Sequence, residues 1–405
     1  MVFALFFVLL TFFSHGQKSL GLKLPKDSKS VTIPFKLVNN LIVIPVKIND
    51  RLTLDFILDS GASTPILTER VFGDIVGLTY DRAINLSGPG LQDSIMAYVA
   101  NKVSIDLPEG VEGENMSMLV LEQDYINLKK NLGEDIFGII GYDVFSRFVV
   151  EINYTNLELT LTHPSNFRKP RKHESLEIKL ESTKPYIQTI VYQGQHIDTL
   201  KMMVDTGASH GLLLDVHKSD VLTYPDSTLG TTLGHGLGGE IPGEIGRFKK
   251  VKLLDFELDN ILVSIPEEGA YSNVIKRGSR NGTIGGNALS HFNVIINYHD
   301  QKMYFRKGSR FNEPFEYDMS GMRLSYLENP RRMEITYILE DSPADKAGLE
   351  VGMVVKSVNF KNLKNSTLSN IYSLLRRKPD KKIRVKVYNE EGKTDKYKFR
   401  LRRLI

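Results

Sequence analysis

Two aspartates in this sequence stand at the ends of matching hydrophobic runs. Asp59 closes Phe56-Ile57-Leu58 and is followed by Ser60, Gly61, Ala62 and Ser63. Asp205 closes Met202-Met203-Val204 and is followed by Thr206, Gly207, Ala208 and Ser209. One Asp-hydroxyl-Gly triplet is a weak signal, because Asp, Ser and Gly crowd together in ordinary turns. Two at corresponding places in a duplicated chain carry more weight. Brought together, two carboxylates resist double ionisation and share one proton. Such a pair suits amide hydrolysis: the ionised member takes a proton from water while the protonated member polarises the scissile carbonyl.

The elements that must position these aspartates are themselves repeated. Ile139 to Tyr154 (IIGYDVFSRFVVEINY) aligns without gaps on Thr283 to Tyr298 (TIGGNALSHFNVIINY) at an offset of 144, and the two aspartates are offset by 146. Two blocks in the same order at nearly equal spacing mark an internal duplication. Gly-rich turns recur as well, at Ser87-Gly88-Pro89-Gly90 and at Gly234 to Gly239; Gly90 follows Asp59 by the same 31 residues as Gly236 follows Asp205. Turns of this kind between short β-rich runs predict a hairpin in each half. Leu41 to Ile48, Val103 to Leu107, Ile187 to Tyr192 and Val251 to Leu258 are alternating or apolar stretches, which point to a mainly β architecture. His163 to His173, with Pro164, Pro170 and a basic cluster, reads as the connection between the halves.

Both halves resemble aspartic peptidases of the retropepsin-like and pepsin-like group, in which each lobe supplies one Asp-Thr/Ser-Gly loop. The family's downstream hydrophobic-hydrophobic-Gly element is similar to Ile139-Ile140-Gly141 and to Thr283-Ile284-Gly285, where Thr283 is the less apolar variant. The resemblance covers residues 31 to 310 and implies a mainly β fold of two pseudo-twofold-related acid-protease lobes, residues 31–162 and 175–310. It implies Asp59 and Asp205 as the catalytic dyad, with Ser60 and Thr206 cross-linking the loops through their hydroxyls. Gly61 and Gly207 fit a need for close backbone approach. Gly88, Gly90, Gly236 and Gly238 would form flap tips over an extended peptide or protein substrate. No metal or other cofactor is implied, and both lobes in one chain imply a working monomer. Ala62 and Ala208 match the retropepsin-like pattern. They offer no hydroxyl to stabilise an ionised carboxylate, which predicts a mildly acidic rather than strongly acidic pH optimum.

Beyond the second repeat, Gly321-Met322-Arg323-Leu324 opens a segment that resembles a small α+β PDZ domain, residues 318–405. The resemblance lies in Ser342-Pro343-Ala344, Ala347-Gly348-Leu349 and the strand-like run from Val351 to Asn359; Met353 stands where an Asp is usual. Pro343 and Gly348 suit the start and end of a short helix. A second helix is expected over 367–376, and strands over 382–388 and 395–401. The resemblance implies a groove for an extended peptide ligand, with Gly321 to Leu324 as the loop that seats a terminal carboxylate.

The remaining features set limits. The chain has 405 residues, 41% of them hydrophobic, and a net charge of +4 that is too mild and evenly spread to argue for nucleic acid. It has no cysteine, which excludes disulfides, thiol catalysis and thiolate metal sites. Met1 to Phe13 is an apolar run without a preceding Lys or Arg, and reads with Ser14 to Gly16 as a signal peptide (1–16). A linker follows over 17–30. Export to a periplasmic, secreted or cell-surface location is expected, with membrane attachment only if that leader stays uncut. Gly234-His-Gly-Leu-Gly-Gly satisfies a dinucleotide-loop pattern, but it lacks a parallel βαβ setting and reads as a hairpin tip. The nine histidines show no zinc spacing; His210 and His235 lie where they could touch a substrate. The alternative reading of the whole is an exported peptide-binding scaffold without activity.

Overall fold

The computed structural model describes residues 21–90, 94–193, 196–216, 222–270, 280–327, 332–362, 366–389 and 391–405; the leader expected over 1–16 lies outside them. Leu41–Ile48 and Leu52–Leu58 are antiparallel neighbours, joined by Asn49 and Asp50 at φ 48° and 55°. Short polar side chains tolerate this left-handed geometry, which matches the twist of the strands they connect. Leu52–Leu58 then pairs in parallel with Ile136–Ile140, whose other edge takes Ile66–Leu67 in the antiparallel sense.

The second half repeats the pattern. Lys184–Gln193 pairs with His196–Asp205, which runs parallel to Gly282–Gly285, and Gly282–Gly285 in turn takes Leu212–Leu214. The main paths of the two sheets correspond strand for strand over eight strands each. They end in a first hairpin, Tyr80–Leu86 with Ile95–Val103, and a second, Thr228–Gly236 with Gly239–Leu253. Each aspartate therefore stands at the end of a central strand, where neighbours on both sides hold the backbone.

A six-stranded sheet joins the lobes. At its centre Val149–Asn153 lies antiparallel to Phe292–Asn297 with Val150 opposite Ile296, Glu151 opposite Ile295 and Ile152 opposite Val294. Under the offset of 144 the duplication maps Val150 on Val294 and Ile152 on Ile296. This register is what a twofold axis through Glu151 and Ile295 requires. One buried cluster, including Ile44, Phe56, Val150, Val204 and Ile296, runs through both lobes.

Two local features differ from the sequence reading. Gly21–Lys23, expected within a linker, is a strand on Glu112–Glu114 with Leu22 in the core, because Leu22 is the apolar residue that can close that edge. The run from Val251 to Leu258 folds back at Leu254 (φ 56°), so that Leu253 faces Phe256.

The C-terminal domain has its own core, a sheet with Met322–Leu327 at one end of the strand order, and the helices Pro343–Lys346 and Leu368–Leu375. The hydroxyls of Ser342 and Thr367 accept the N–H groups of Asp345 and Asn370, capping the two helix starts. This domain touches both lobes. Arg323 donates to Thr231 of the second hairpin, and the Tyr326 ring lies over Gly133 of the first lobe. Glu316, in the segment leading into the domain, holds Arg247 of the second lobe at 3.4 Å and also Arg403.

Ile296 has 0% exposure in the joining sheet. Ile296→Ala should lower stability by about 2–5 kcal/mol. In a urea titration this should appear as a reduced midpoint with an unchanged slope.

Candidate active site

The loops that carry the two aspartates close tightly on the repeated glycine elements. Asp59 N–H donates to Ile140 O at 2.8 Å and Ala62 N–H to Asp59 O at 3.1 Å; a Cβ on Gly141 would lie 1.9 Å from Asp59 O. In the second loop a Cβ on Gly285 would lie 2.5 Å from His210 O, and Gly286 N–H donates to Ala208 O at 2.6 Å. The hydrophobic-hydrophobic-Gly elements thus end in glycine because the aspartate loop occupies the space of a side chain.

Ser60 and Thr206 lock one loop to the other. Ser60 N–H donates to Thr206 Oγ1 at 3.0 Å, and Thr206 N–H donates to Ser60 Oγ at 3.1 Å. Each hydroxyl then donates across the interface, Ser60 Oγ to Val204 O at 2.8 Å and Thr206 Oγ1 to Leu58 O at 2.7 Å. Both side chains are buried. Each carboxylate accepts from a glycine of its own loop: Gly61 N–H to Asp59 Oδ1 at 2.6 Å, and Gly207 N–H to Asp205 Oδ1 at 3.0 Å. A Cβ on Gly207 would lie 2.2 Å from Asp59 Cγ, and one on Gly61 would lie 3.3 Å from Asp205 Oδ2. The two carboxyl groups face each other in this narrow space. Burial first, then the Asp205 charge and hydrogen bond, hold the Asp59 carboxyl well above the usual carboxylate range.

Side chains around the pair include several the sequence reading did not single out. Tyr298, the last residue of the repeated Ile-Asn-Tyr, donates its hydroxyl to Ser60 O at 3.4 Å; burial and the two aspartates push its phenol up. Its place in the repeat was a usable signal. Lys184 lies near both carboxylates, and burial and Arg280 push its ammonium down. Neither cation belongs to a repeated motif. His210 has a buried Nε2 near Asp205, and burial pushes the ring down to about 4, so it is neutral under mildly acidic conditions. Among the described residues, no group of three His, Asp or Glu side chains stands where it could hold a metal ion.

The four turn glycines converge. Gly238 N–H donates to Pro89 O at 2.8 Å, and Gly90 N–H donates to Ala270 O at 3.1 Å. Cβ atoms on Gly90 and Gly236 would lie 2.1 Å from Gly238 C and 2.3 Å from Pro89 O, and one on Gly88 would meet Leu237. The hairpin tips therefore touch, and only glycine permits that approach. His235 sits in the second of these tips, and burial pushes its ring down.

In the C-terminal domain, the groups expected to seat a ligand carboxylate are already engaged. The Asp318 carboxylate accepts Gly321 N–H at 2.6 Å, Ser320 N–H at 3.1 Å and Ser320 Oγ at 2.7 Å; Met322 N–H donates to Ser320 Oγ at 3.2 Å. Leu324 N–H donates to the Tyr372 hydroxyl at 3.0 Å, and Arg323 points to Thr231. An internal carboxylate thus takes the backbone donors at Gly321. Burial pushes Asp318 up to about 6.

Two measurements test these contacts. Thr206→Val leaves Ser60 N–H and Leu58 O buried without their partner, at about 1–3 kcal/mol per group. Calorimetry should show a Tm lower by several degrees, while Thr206→Ser stays near the parent. For Asp318, the folded-state value of about 6 exceeds the ordinary 3.8. Its contribution to stability is fully present below about pH 4 and is lost as pH rises through about 6. The stability difference between the parent and Asp318→Asn should therefore change over that window; a constant difference would contradict the assignment.

Comparison with protein families agrees with this geometry. An aspartyl protease model matches twice, over residues 44–144 and 189–288, and a PDZ domain model matches residues 334–389. A search against curated proteins returns no match. The two aspartyl protease matches span the corresponding sheets of the two lobes, and the third match spans most of the C-terminal domain. The chain belongs to the aspartyl protease family, as a duplicated, single-chain member with a C-terminal PDZ domain.

Proposed function

We propose that this protein is an aspartic endopeptidase that cuts peptide bonds with Asp59 and Asp205 as a proton-sharing dyad. The observation that carries this reading is the reciprocal bonding of Ser60 and Thr206, which sets the two carboxyl groups against each other with one glycine N–H on each. In the single-proton state, the ionised carboxylate removes a proton from an attacking water and the protonated one donates to the scissile carbonyl. A tetrahedral diol forms. Its collapse returns a proton to the leaving amine and regenerates the pair. The hairpin tips, with Gly88 and Gly90 meeting Gly236 and Gly238, serve as flaps that cover an extended substrate.

The elevated proton affinity at Asp59 supports retention of the shared proton above the usual carboxylate range. Activity should peak at mildly acidic pH, and a profile peaking well below pH 3 would oppose this assignment. Both lobes lie in one chain, which supports a monomeric enzyme. The apolar leader supports export, and the PDZ domain supports peptide recognition beside the cleft.

Cleavage of a diverse peptide pool across pH is the direct test. The parent should cut, and Asp59→Asn and Asp205→Asn should each lower the rate by at least about a thousandfold. Specific activity should not change on dilution; loss on dilution would point to an obligate dimer. Absence of cleavage at every pH would favour a peptide-binding scaffold.

A further inference from the structure

Three consecutive backbone donors at the start of the C-terminal sheet are gathered around one carboxylate. Ser320 N–H and Gly321 N–H both donate to Asp318 Oδ2, at 3.1 Å and 2.6 Å. Met322 N–H donates to Ser320 Oγ at 3.2 Å, and that hydroxyl donates to Asp318 Oδ1 at 2.7 Å. Neighbouring carbonyls fix the peptide planes that carry the Gly321 and Met322 donors: Ser320 O accepts Ala344 N–H at 3.0 Å, and Gly321 O accepts Leu339 N–H at 2.8 Å. Gly321 stands at φ 78°, where a Cβ would lie 2.2 Å from Ser342 Cβ. Successive N–H groups held in this way form a concave anion site.

The same site lies at the beginning of a strand edge that the chain also covers. Met322–Leu327 stands at one end of the strand order, with Arg332–Ile338 on its inner side. Towards the helix Leu368–Leu375, Leu324 N–H donates to the Tyr372 hydroxyl at 3.0 Å and Met319 N–H to Leu375 O at 3.1 Å. A peptide added as a strand needs such edge donors, and a carboxylate at its end needs the anion site. Of the two covers, the Tyr372 hydroxyl is neutral and makes one bond to the edge. The Asp318 carboxylate takes three donors and is the stronger seal. Asp318 is 7% exposed, and Glu316 in the same segment holds Arg247 of the second lobe at 3.4 Å and also Arg403 of the C-terminal domain. A carboxylate tethered at this short range acts at an effective concentration of about millimolar or higher.

We propose that Asp318 is a tethered ligand of the C-terminal domain: its carboxylate occupies the site that the free C-terminus of a peptide would fill, and closes the full chain to such peptides. A free peptide binds only those molecules whose Asp318 has left the site, so its apparent affinity falls by that fraction. Removing the Asp318 carboxylate vacates the site and leaves its walls, because Ala344 and Leu339 still hold the peptide planes. The ligands that gain are peptides with a terminal carboxylate. A terminal amide brings no negative charge to the donors and gains far less.

Acetate is the smallest probe of a vacated site. Calorimetry of the full chain carrying Asp318→Ala should show a Tm raised by several degrees in sodium acetate over sodium chloride of equal ionic strength, with no such rise in the parent or with acetamide. Peptide binding is read on full chains that also carry Asp59→Asn, so that no probe is cut, with a pool of random peptides made either with a free C-terminal carboxylate or as the amide. With Asp318 in place the retained ratio of acid to amide should be near one; in Asp318→Ala the best-retained sequences should favour the acid by at least about tenfold. A chain with Asp318 that already prefers acids as strongly as Asp318→Ala overturns the tethered ligand. So does the absence of either change in a folded Asp318→Ala. If Asp318→Ala does not fold, Asp318→Asn decides: it keeps an acceptor and loses the charge, so its ratio should rise above that of the chain with Asp318, and an unchanged ratio overturns the proposal. Cleavage plays no part in these readouts, so their outcome is separate from that of the peptidase test.

Discussion

Ser60 and Thr206 each donate a hydroxyl proton into the backbone of the opposite lobe and accept an N–H from the opposite loop. Four hydrogen bonds in a buried, low-dielectric interface satisfy every donor they involve, and they can do so only when the two loops meet in one relative position. The positions of the carboxylates follow from that constraint. So does the need for glycine at 61 and 207, where a Cβ would intrude on the facing aspartates. The joining sheet supports the arrangement from below, with a register centred on Glu151 and Ile295. The loops and the sheet thus obey the same approximate twofold.

The departures from that symmetry lie in side chains rather than in the strands. Leu41 and Val43 of the first lobe belong to an apolar cluster, where the second lobe has Lys184 and Tyr186 at the matching places of the strand pairing. A duplicated scaffold conserves backbone geometry because the hydrogen-bond pairing of each sheet depends on it. Side chains facing a cleft are under no such constraint, so the chemistry of the two halves can diverge while the strands remain superposable. Arg280, buried beside Met203 and Tyr186, is accommodated by hydrogen bonds rather than by a change of fold.

The PDZ domain reaches both lobes through its strand Met322–Leu327. Arg323 reaches Thr231 on the second hairpin, and Tyr326 covers Gly133 of the first lobe. Its own carboxylate loop is held by Asp318, and the strand that follows by Tyr372. The same strand, Met322–Leu327, carries the Arg323 contact to the second hairpin.

Much of this was legible in the sequence because it depends on local chemistry or on repetition. The duplicated Asp-hydroxyl-Gly loops, the paired Ile-Gly elements, the glycine turns and the Ser-Pro helix start each carry their physical reason within a few residues. The sequence by itself determined a mainly β, twice-repeated chain with two equivalent aspartates and a third, PDZ-like module. Tertiary structure alone decided the rest. Lys184 and Asp318 are ordinary charged residues until folding places one near the dyad and the other within a nest of backbone donors, because charge, burial and partner are properties of a neighbourhood. Contacts between residues far apart in the chain, such as Tyr298 under Ser60 or Arg323 on Thr231, arise only when the sheets have closed and the domains have packed.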